Sequence, residues 1–380
     1  MTLNNNQYII DKKLFEEQYQ EASIDIKKRI DLKVKEGCEG RYENLWNQAF
    51  KEIVSIGWDV SGRDKKVNQY VQGMRSFVTY LANETKITKL KNYKNSDVVE
   101  FEKTLIDSNY SVSTIKPYQS GIQTFHKGLY ANGGTKNKIQ DAETIHKKVE
   151  LPKRQSGVLD RAWTDDEFNK MLKQAKEDGR NDVYFGMKLG DEFGIRIQTI
   201  GKLTVKQINK ALKENFLRVK EKGGKYRNIP IENNKMRQTL LDLQLIAKTE
   251  NLKVKEHIFR DSPLFSENKK TQGDNSHDKT VKSIQNYIYK ERKDIQDLDR
   301  KDISHYAASK EKRIVEKTEL SFHGLRYRYA QRQMDNLLKK GIPFNVAALK
   351  VSKLLGHERA KITRVYLCQK NANGEIQNAA

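Results

Sequence analysis

Six residues in the C-terminal two thirds of the sequence have types and spacings suited to chemistry on a phosphate. Arg196 stands in GIRIQTI, at the end of an apolar helical run, where a guanidinium can present its planar fork to an anion. Lys222 opens KGGKYRNIP, a turn whose lysine could reach a phosphate ester and donate a proton. His323 and Arg326 share HGLR; three residues apart on a helix, they lie on one face. His357 ends LLGH, and Tyr366 follows nine residues later in ITRVYL. Singly, each has an ordinary explanation: a surface arginine, a solvated hairpin tip, a chance HxxR, a core histidine, a packed tyrosine.

Their order is more informative than any one of them. An arginine, a lysine hairpin, HxxR, then LGH with a tyrosine nine residues on resembles the tyrosine recombinases of the phage-integrase type, across nearly all of residues 160–370. Upstream, SVSTIKPYQSGIQTF (Ser111 to Phe125) is similar to a helix of that family's DNA-clamping core-binding domain. Matched residue by residue, the resemblance implies a catalytic set of Arg196, Lys222, His323, Arg326 and His357, with Tyr366 as nucleophile. Two positions depart from the pattern. Thr199 stands where the family often has an acidic residue, and Tyr327 where it often has histidine. Lys225 also lies on the hairpin and competes with Lys222 for the lysine role.

The chemistry makes sense of these residue types. Passing a phosphodiester to a tyrosine builds negative charge on the non-bridging oxygens, so positioning and charge stabilisation do most of the work. Arg196 and Arg326 form the clamp, because guanidinium binds phosphate bidentately and stays charged. A phenol of unperturbed pKa ~10 needs help to lose its proton; His323 is the candidate base. His357 would hydrogen-bond the phosphate, and Lys222 would protonate the departing 5′-oxygen. The implied product is a 3′-phosphotyrosine beside a free 5′-hydroxyl, with neither ATP nor a metal or other cofactor required.

The elements that must position these groups can be read from periodicity. At 380 residues and 36% hydrophobic content the chain is expected to form two or three domains. Residues 1–60 are highly charged, with helical spacing around Leu14–Tyr19 and Leu45–Val54, and form an N-terminal helical extension without a catalytic motif. Residues 61–150 read as the helical core-binding clamp with its linker. Val71, Met74, Phe77, Val78 and Leu81 recur at helical steps; a second helix fits Ser96 to Asp107 with Ser96 as N-cap; a third carries Ile115, Ile122 and Phe125. Gly128 to Gly157 reads as a connector. Residues 158–380 form the catalytic domain and its tail. It opens on the capping box Thr164-x-x-Glu167, adds a helix near Val183–Phe193, and changes period at FLRVKEKGGKYRNIPI, a hairpin. Beyond it the pattern is helical, broken by a polar stretch from Ser266 to Asp278. The expected fold class is mainly α with a small antiparallel β-sheet: a helical, SAM-like clamp plus an α+β catalytic domain.

Composition narrows the partners. Seventy-two Lys and Arg against fifty Asp and Glu leave a formal charge of +22, which favours a polyanion because cationic contacts release its condensed counterions. No run approaches the roughly 18 apolar residues of a membrane span. The start, MTLNNNQYIIDKK, does not read as a secretory signal, and two distant cysteines, Cys38 and Cys368, argue against a zinc site or disulfide scaffold. The expected setting is the cytoplasm, at the nucleoid of a bacterial or phage-encoded system. The resemblance implies double-stranded recombination sites, a homo-tetramer on DNA, an accessory directionality factor, and integration or excision of a mobile element such as a phage or transposon. Two enzymatic or near-enzymatic alternatives remain: a type IB topoisomerase that relaxes any plasmid, and a catalytically idle DNA-binding protein of the same fold. An RNA-binding protein would rest on charge alone. If the side chains replace a metal, strand cleavage measured in excess chelator is expected to persist, and a requirement for added magnesium at that step would count against the scheme.

Overall fold

The computed structural model describes residues 33–58, 65–108, 110–152, 160–221, 224–266, 276–296, 301–303, 314–316, 319–357 and 359–367. The helix expected around Leu14–Tyr19, most of the polar stretch after Ser266, Lys222 and the tail beyond residue 367 lie outside them. The chain divides into two units, Met1–Arg154 and Gln155–Ala380.

The first unit is helical because its apolar residues recur at helical steps and its faces close on one core. Helices α1 (Glu39–Ser55), α2 (Lys65–Glu84), α3 (Asn95–Asp107) and α4 (Val112–Ala131) supply it. Met74, Phe77, Phe101, Ile122 and Phe125 are fully buried there. The sequence pattern placed the α1 stretch in an N-terminal extension, yet Leu45, Ala49, Phe50 and Ile53 are fully buried in the same core as α2–α4. Helix α3 starts earlier than Ser96, after Lys94, whose N–H donates to the Asp97 carboxylate at 2.6 Å. The stretch read as a connector holds a further helix, α5 (Ala142–Lys148), capped by the Asp141 carboxylate accepting from Thr144 N at 3.0 Å. Its Ile145 is fully buried. A seven-residue helix with one core residue has too short a period to announce itself.

The second unit opens on α6 (Asp165–Glu177) with the expected reciprocal cap: Thr164 Oγ1 accepts from Glu167 N at 3.1 Å, and Glu167 Oε2 from Thr164 N at 2.9 Å. Helix α7 (Asn181–Phe193) runs through the core, followed by α8 (Ile197–Ile200) and α9 (Val205–Glu214). The hairpin forms as read, β1 (Phe216–Lys220) antiparallel to β2 (Tyr226–Pro230), with Phe216 opposite Pro230 and Lys220 opposite Tyr226. Alternation turns Leu217, Val219, Arg227 and Ile229 inward. Helices α10 (Asn234–Thr249), α11 (Ile258–Asp261), α12 (Pro263–Ser266) and α13 (Ser276–Ile295) follow.

Where the pattern was read as helical to the end, a second antiparallel pair intervenes, β3 (Lys301–Ile303) with β4 (Ile314–Glu316). Three-residue strands are too short for alternation to register. The chain closes with α14 (Phe322–Lys339), α15 (Phe344–Leu354) and α16 (Ala360–Tyr366). The fold is therefore mostly helical with small antiparallel sheets, as the sequence predicts. No described helix is long and apolar enough to cross a membrane.

Because Phe50 is fully buried among the helices of the first unit, Phe50→Ala is expected to destabilise that unit by about 3–5 kcal/mol. Urea unfolding followed by a probe in residues 33–152 would measure it, and an unchanged midpoint would show that α1 is not part of the core.

Candidate functional site

Five of the six residues picked from the sequence converge in the second unit, on the seam where the ends of α7, α15 and α16 meet helix α14. Lys222 lies outside the described residues, two positions after β1 ends. Each of the other five is carried there by a local feature.

Helix α7 stops at Gly194 in a left-handed conformation, φ +57°, and a Cβ there would fall 2.4 Å from the Tyr329 ring. Only glycine meets both demands, and the sharp exit places Arg196 just beyond the helix end. On α14, His323 and Arg326 occupy adjoining turns of one face, as their spacing requires. Helix α15 ends in a left-handed Gly356, φ +72°, with Gly356 N donating to Lys353 O at 2.9 Å and His357 N to Ser352 O at 2.8 Å. That turn delivers His357 out of the helix. Ser352 Oγ then donates to Arg359 O at 2.8 Å, and Thr363 Oγ1 to Ala348 O at 2.9 Å, pinning α16 onto α15. Gln331 Nε2 on α14 donates to Tyr366 O at 3.1 Å. The tyrosine is thus held from two helices.

The Tyr366 side chain is buried, 6% exposed, in a small core with Tyr327, Tyr329, Met334, Val351 and Leu355. Its hydroxyl accepts a hydrogen bond from Arg326 Nε at 3.3 Å. The rings of Tyr327, His323 and His357 surround it with centroids 4.7, 6.0 and 6.2 Å away. Arg326 is 1% exposed, and its two terminal nitrogens donate to Gly194 O and Leu355 O. His357 Nε2 is buried with no hydrogen-bond partner among the described residues.

Two residues that no motif marks complete the arrangement. Arg227, on the inward face of β2, donates to Leu354 O, to Gly194 O at 3.4 Å and to Glu221 Oε1 at 2.9 Å. Glu221, one residue past β1, also accepts from Arg196 Nη1, and its Oε1 lies 3.9 Å from Arg326 Nη1. Position 199, where the resembled family often has an acidic residue, is Thr199; the carboxylate that meets Arg196 is Glu221, beside the hairpin. The inward position of Arg227 on the hairpin alternation was a usable signal. The pairing with Glu221 was not, since it needs the fold.

Three guanidinium groups therefore face one carboxylate, leaving two positive charges in a largely buried site. Burial of the Arg227 guanidinium, with the charge of Arg326 next to it, pushes its pKa down to about 10, so it stays cationic at neutral pH. His323 is pushed down to about 4 by burial and by the charges of Arg326, Arg161 and Arg196, although part of the residue remains exposed. His357 is pushed down to about 4 by burial and by Arg326, Arg196 and Arg227. Both imidazoles are neutral at physiological pH, the form that accepts a proton.

Lowered folded-state values mean that the unfolded chain binds more protons between about pH 4 and 6.5, so stability contributed by these histidines is present above 6.5 and declines as pH falls through that window. In the DNA-free protein, NMR titration of the His323 and His357 ring carbons is expected to show no protonation from pH 8 down to about 5. Titration of either ring near its ordinary value would contradict the cationic surroundings described above.

Residues 161–372 match the model of the phage integrase family. A lambda integrase tetramer bound to a Holliday junction superposes with a TM-score of 0.53 at 15% identity, covering 88% of this chain and 79% of that one. A lambda integrase (75-356) dimer bound to a COC′ core site gives 0.52 at 16% identity, covering 84% and 93%. The XerH site-specific recombinase on palindromic difH substrate, in a post-cleavage complex, gives 0.50 at 15% identity, covering 94% and 90%. At such identities these likenesses concern the fold. A comparison with curated proteins finds no match. The family match spans more than half of the chain and includes Arg196, Lys222, His323, Arg326, His357 and Tyr366, and the chain belongs to the phage integrase family.

Proposed function

We propose that this protein is a site-specific DNA recombinase that cleaves and rejoins strands through Tyr366. The observation that carries the reading is the Tyr366 hydroxyl held by Arg326 Nε within a cluster whose positive charge exceeds its negative charge by two. Such a surplus in a low-dielectric site favours an anion, and Arg196, whose side chain is 25% exposed, is the guanidinium of the three most open to solvent. A phosphodiester entering from that side would meet Arg196 first. The unpartnered His357 Nε2 and the Arg326 guanidinium would share its non-bridging oxygens.

In the proposed step the Tyr366 oxygen attacks phosphorus as the bond to the 5′-oxygen breaks. The phenolic proton passes to neutral His323, whose basicity rises because the arriving phosphate offsets the surrounding guanidinium charge. Lys222 gives a proton to the departing 5′-oxygen. The products are a 3′-phosphotyrosine and a free 5′-hydroxyl. Because the phosphodiester's energy is kept in the covalent link, attack by the 5′-hydroxyl of a partner strand reseals DNA without ATP. Arg326 is held by two carbonyls and the phenol, so its part is to set the attack geometry and stabilise charge as it develops.

The partner of this reading is double-stranded DNA and the assembly a homo-tetramer; a lambda integrase tetramer bound to a Holliday junction and XerH bound to difH substrate, which share the fold, support it. The biological outcome we favour is integration or excision of a mobile element. The clamp would be the first unit and the catalytic domain the second, with residues 1–60 divided between an unassigned start and the clamp's own α1.

Incubation with a nicked suicide duplex carrying the recombination site is expected to trap a covalent protein–DNA adduct that resists denaturing gel electrophoresis. Tyr366→Phe keeps the ring packing and removes only the hydroxyl, so it should bind DNA normally and trap none. Trapping at the wild-type level by Tyr366→Phe would assign the nucleophile to another residue.

A further inference from the structure

Glu221 is the one carboxylate within salt-bridge distance of all three site arginines among the described residues, and no sequence motif points to it. It is buried, 7% exposed, at the root of the hairpin loop, where its N–H donates to Lys225 O at 2.8 Å and its carbonyl accepts from Gly224 N at 3.1 Å. One carboxylate oxygen takes Arg196 Nη1; the other takes Arg227 Nη2 at 2.9 Å and faces Arg326 Nη1 at 3.9 Å. Arg227 is itself fixed by Leu354 O, at the end of α15, and by Gly194 O, in the turn that delivers Arg196. A chain of strong contacts thus runs from the loop bearing Lys222 through Glu221 to Arg196.

We propose that Glu221 is a positioning residue for strand cleavage, acting through Arg196. It holds the guanidinium, the one of the three most open to solvent, in a single orientation, and it ties the root of the Lys222 loop to the same cluster. The proposal rests on the recombinase reading above. An arginine side chain loses its rotamer freedom only when its fork is anchored, and a displacement of about 1 Å at a reacting centre can cost on the order of 100-fold in rate. The effect of Glu221 should therefore fall on the cleavage step rather than on DNA affinity, and it should require Arg196 to be present.

The test is a double-mutant cycle on the full chain, read by single-turnover adduct formation on the nicked duplex, with duplex affinity and thermal melting measured in parallel. Glu221→Gln keeps the shape and removes the charge. It is expected to bind duplex within about threefold of wild type while cleaving roughly 10- to 100-fold more slowly. In an Arg196→Ala background the same change should cost less than about threefold, because the group it positions is gone. Should Glu221→Gln melt below the assay temperature, Glu221→Asp carries the cycle: its shorter stem withdraws the carboxylate, and the loss should again vanish without Arg196. Wild-type cleavage by Glu221→Gln, or losses that multiply in full in the double variant, would overturn the proposal. No adduct from the wild-type protein would instead sink the recombinase reading, and the proposal with it.

Discussion

The site is organised by buried guanidinium groups that clamp backbone carbonyls. Arg326 and Arg227 both donate to Gly194 O, and between them they hold Leu354 O and Leu355 O. Burying a charge is costly unless it is hydrogen-bonded, and these carbonyls supply most of the partners that the two guanidinium groups need. If the end of α7 or of α15 shifted, two desolvated arginines would lose their partners together. The ends of those two helices are the points from which Arg196 and His357 emerge, so the constraint that stabilises the fold also sets the spacing of the site.

The same network explains the electrostatics around Tyr366. One carboxylate cannot neutralise three guanidinium groups, and the excess, together with burial, holds both imidazoles below their ordinary values. The two imidazoles are neutral at physiological pH, and the Tyr366 hydroxyl accepts from Arg326 Nε. The result is a positively charged, largely buried cluster with two neutral histidine rings beside the phenol. Helices α15 and α16 add the mechanical part. Thr363 and Ser352 spend their hydroxyls on backbone carbonyls, which fixes the tyrosine-bearing helix against the helix that carries LGH.

Much of this was legible in the chain. The Thr164 cap, the hairpin from Phe216 to Pro230 and the shared face of His323 and Arg326 all depend on neighbours within a few residues, and each formed where its spacing placed it. What escaped was of two kinds. Short elements such as α5 and the β3–β4 pair carry too few residues for periodicity to show. The membership of α1 in the first core escaped for a different reason: an amphipathic helix says which face it buries but not against what. Phe50 and Ile53 could equally have been part of a separate extension.

The sequence by itself determined the kinds of chemistry available and their order: an arginine, a lysine hairpin, HxxR, LGH and a tyrosine, in a strongly basic chain. It could do so because local spacing controls which side chains share a helix face or leave a turn together. Only the tertiary structure decided that Arg196, His323, Arg326, His357 and Tyr366 meet, that Arg326 is the one to touch the tyrosine oxygen, and that Glu221 and Arg227 complete the cluster. Those pairings join residues 6 to 132 positions apart. They exist because buried charge must find a partner wherever packing brings one, and that requirement leaves no periodic trace in the chain.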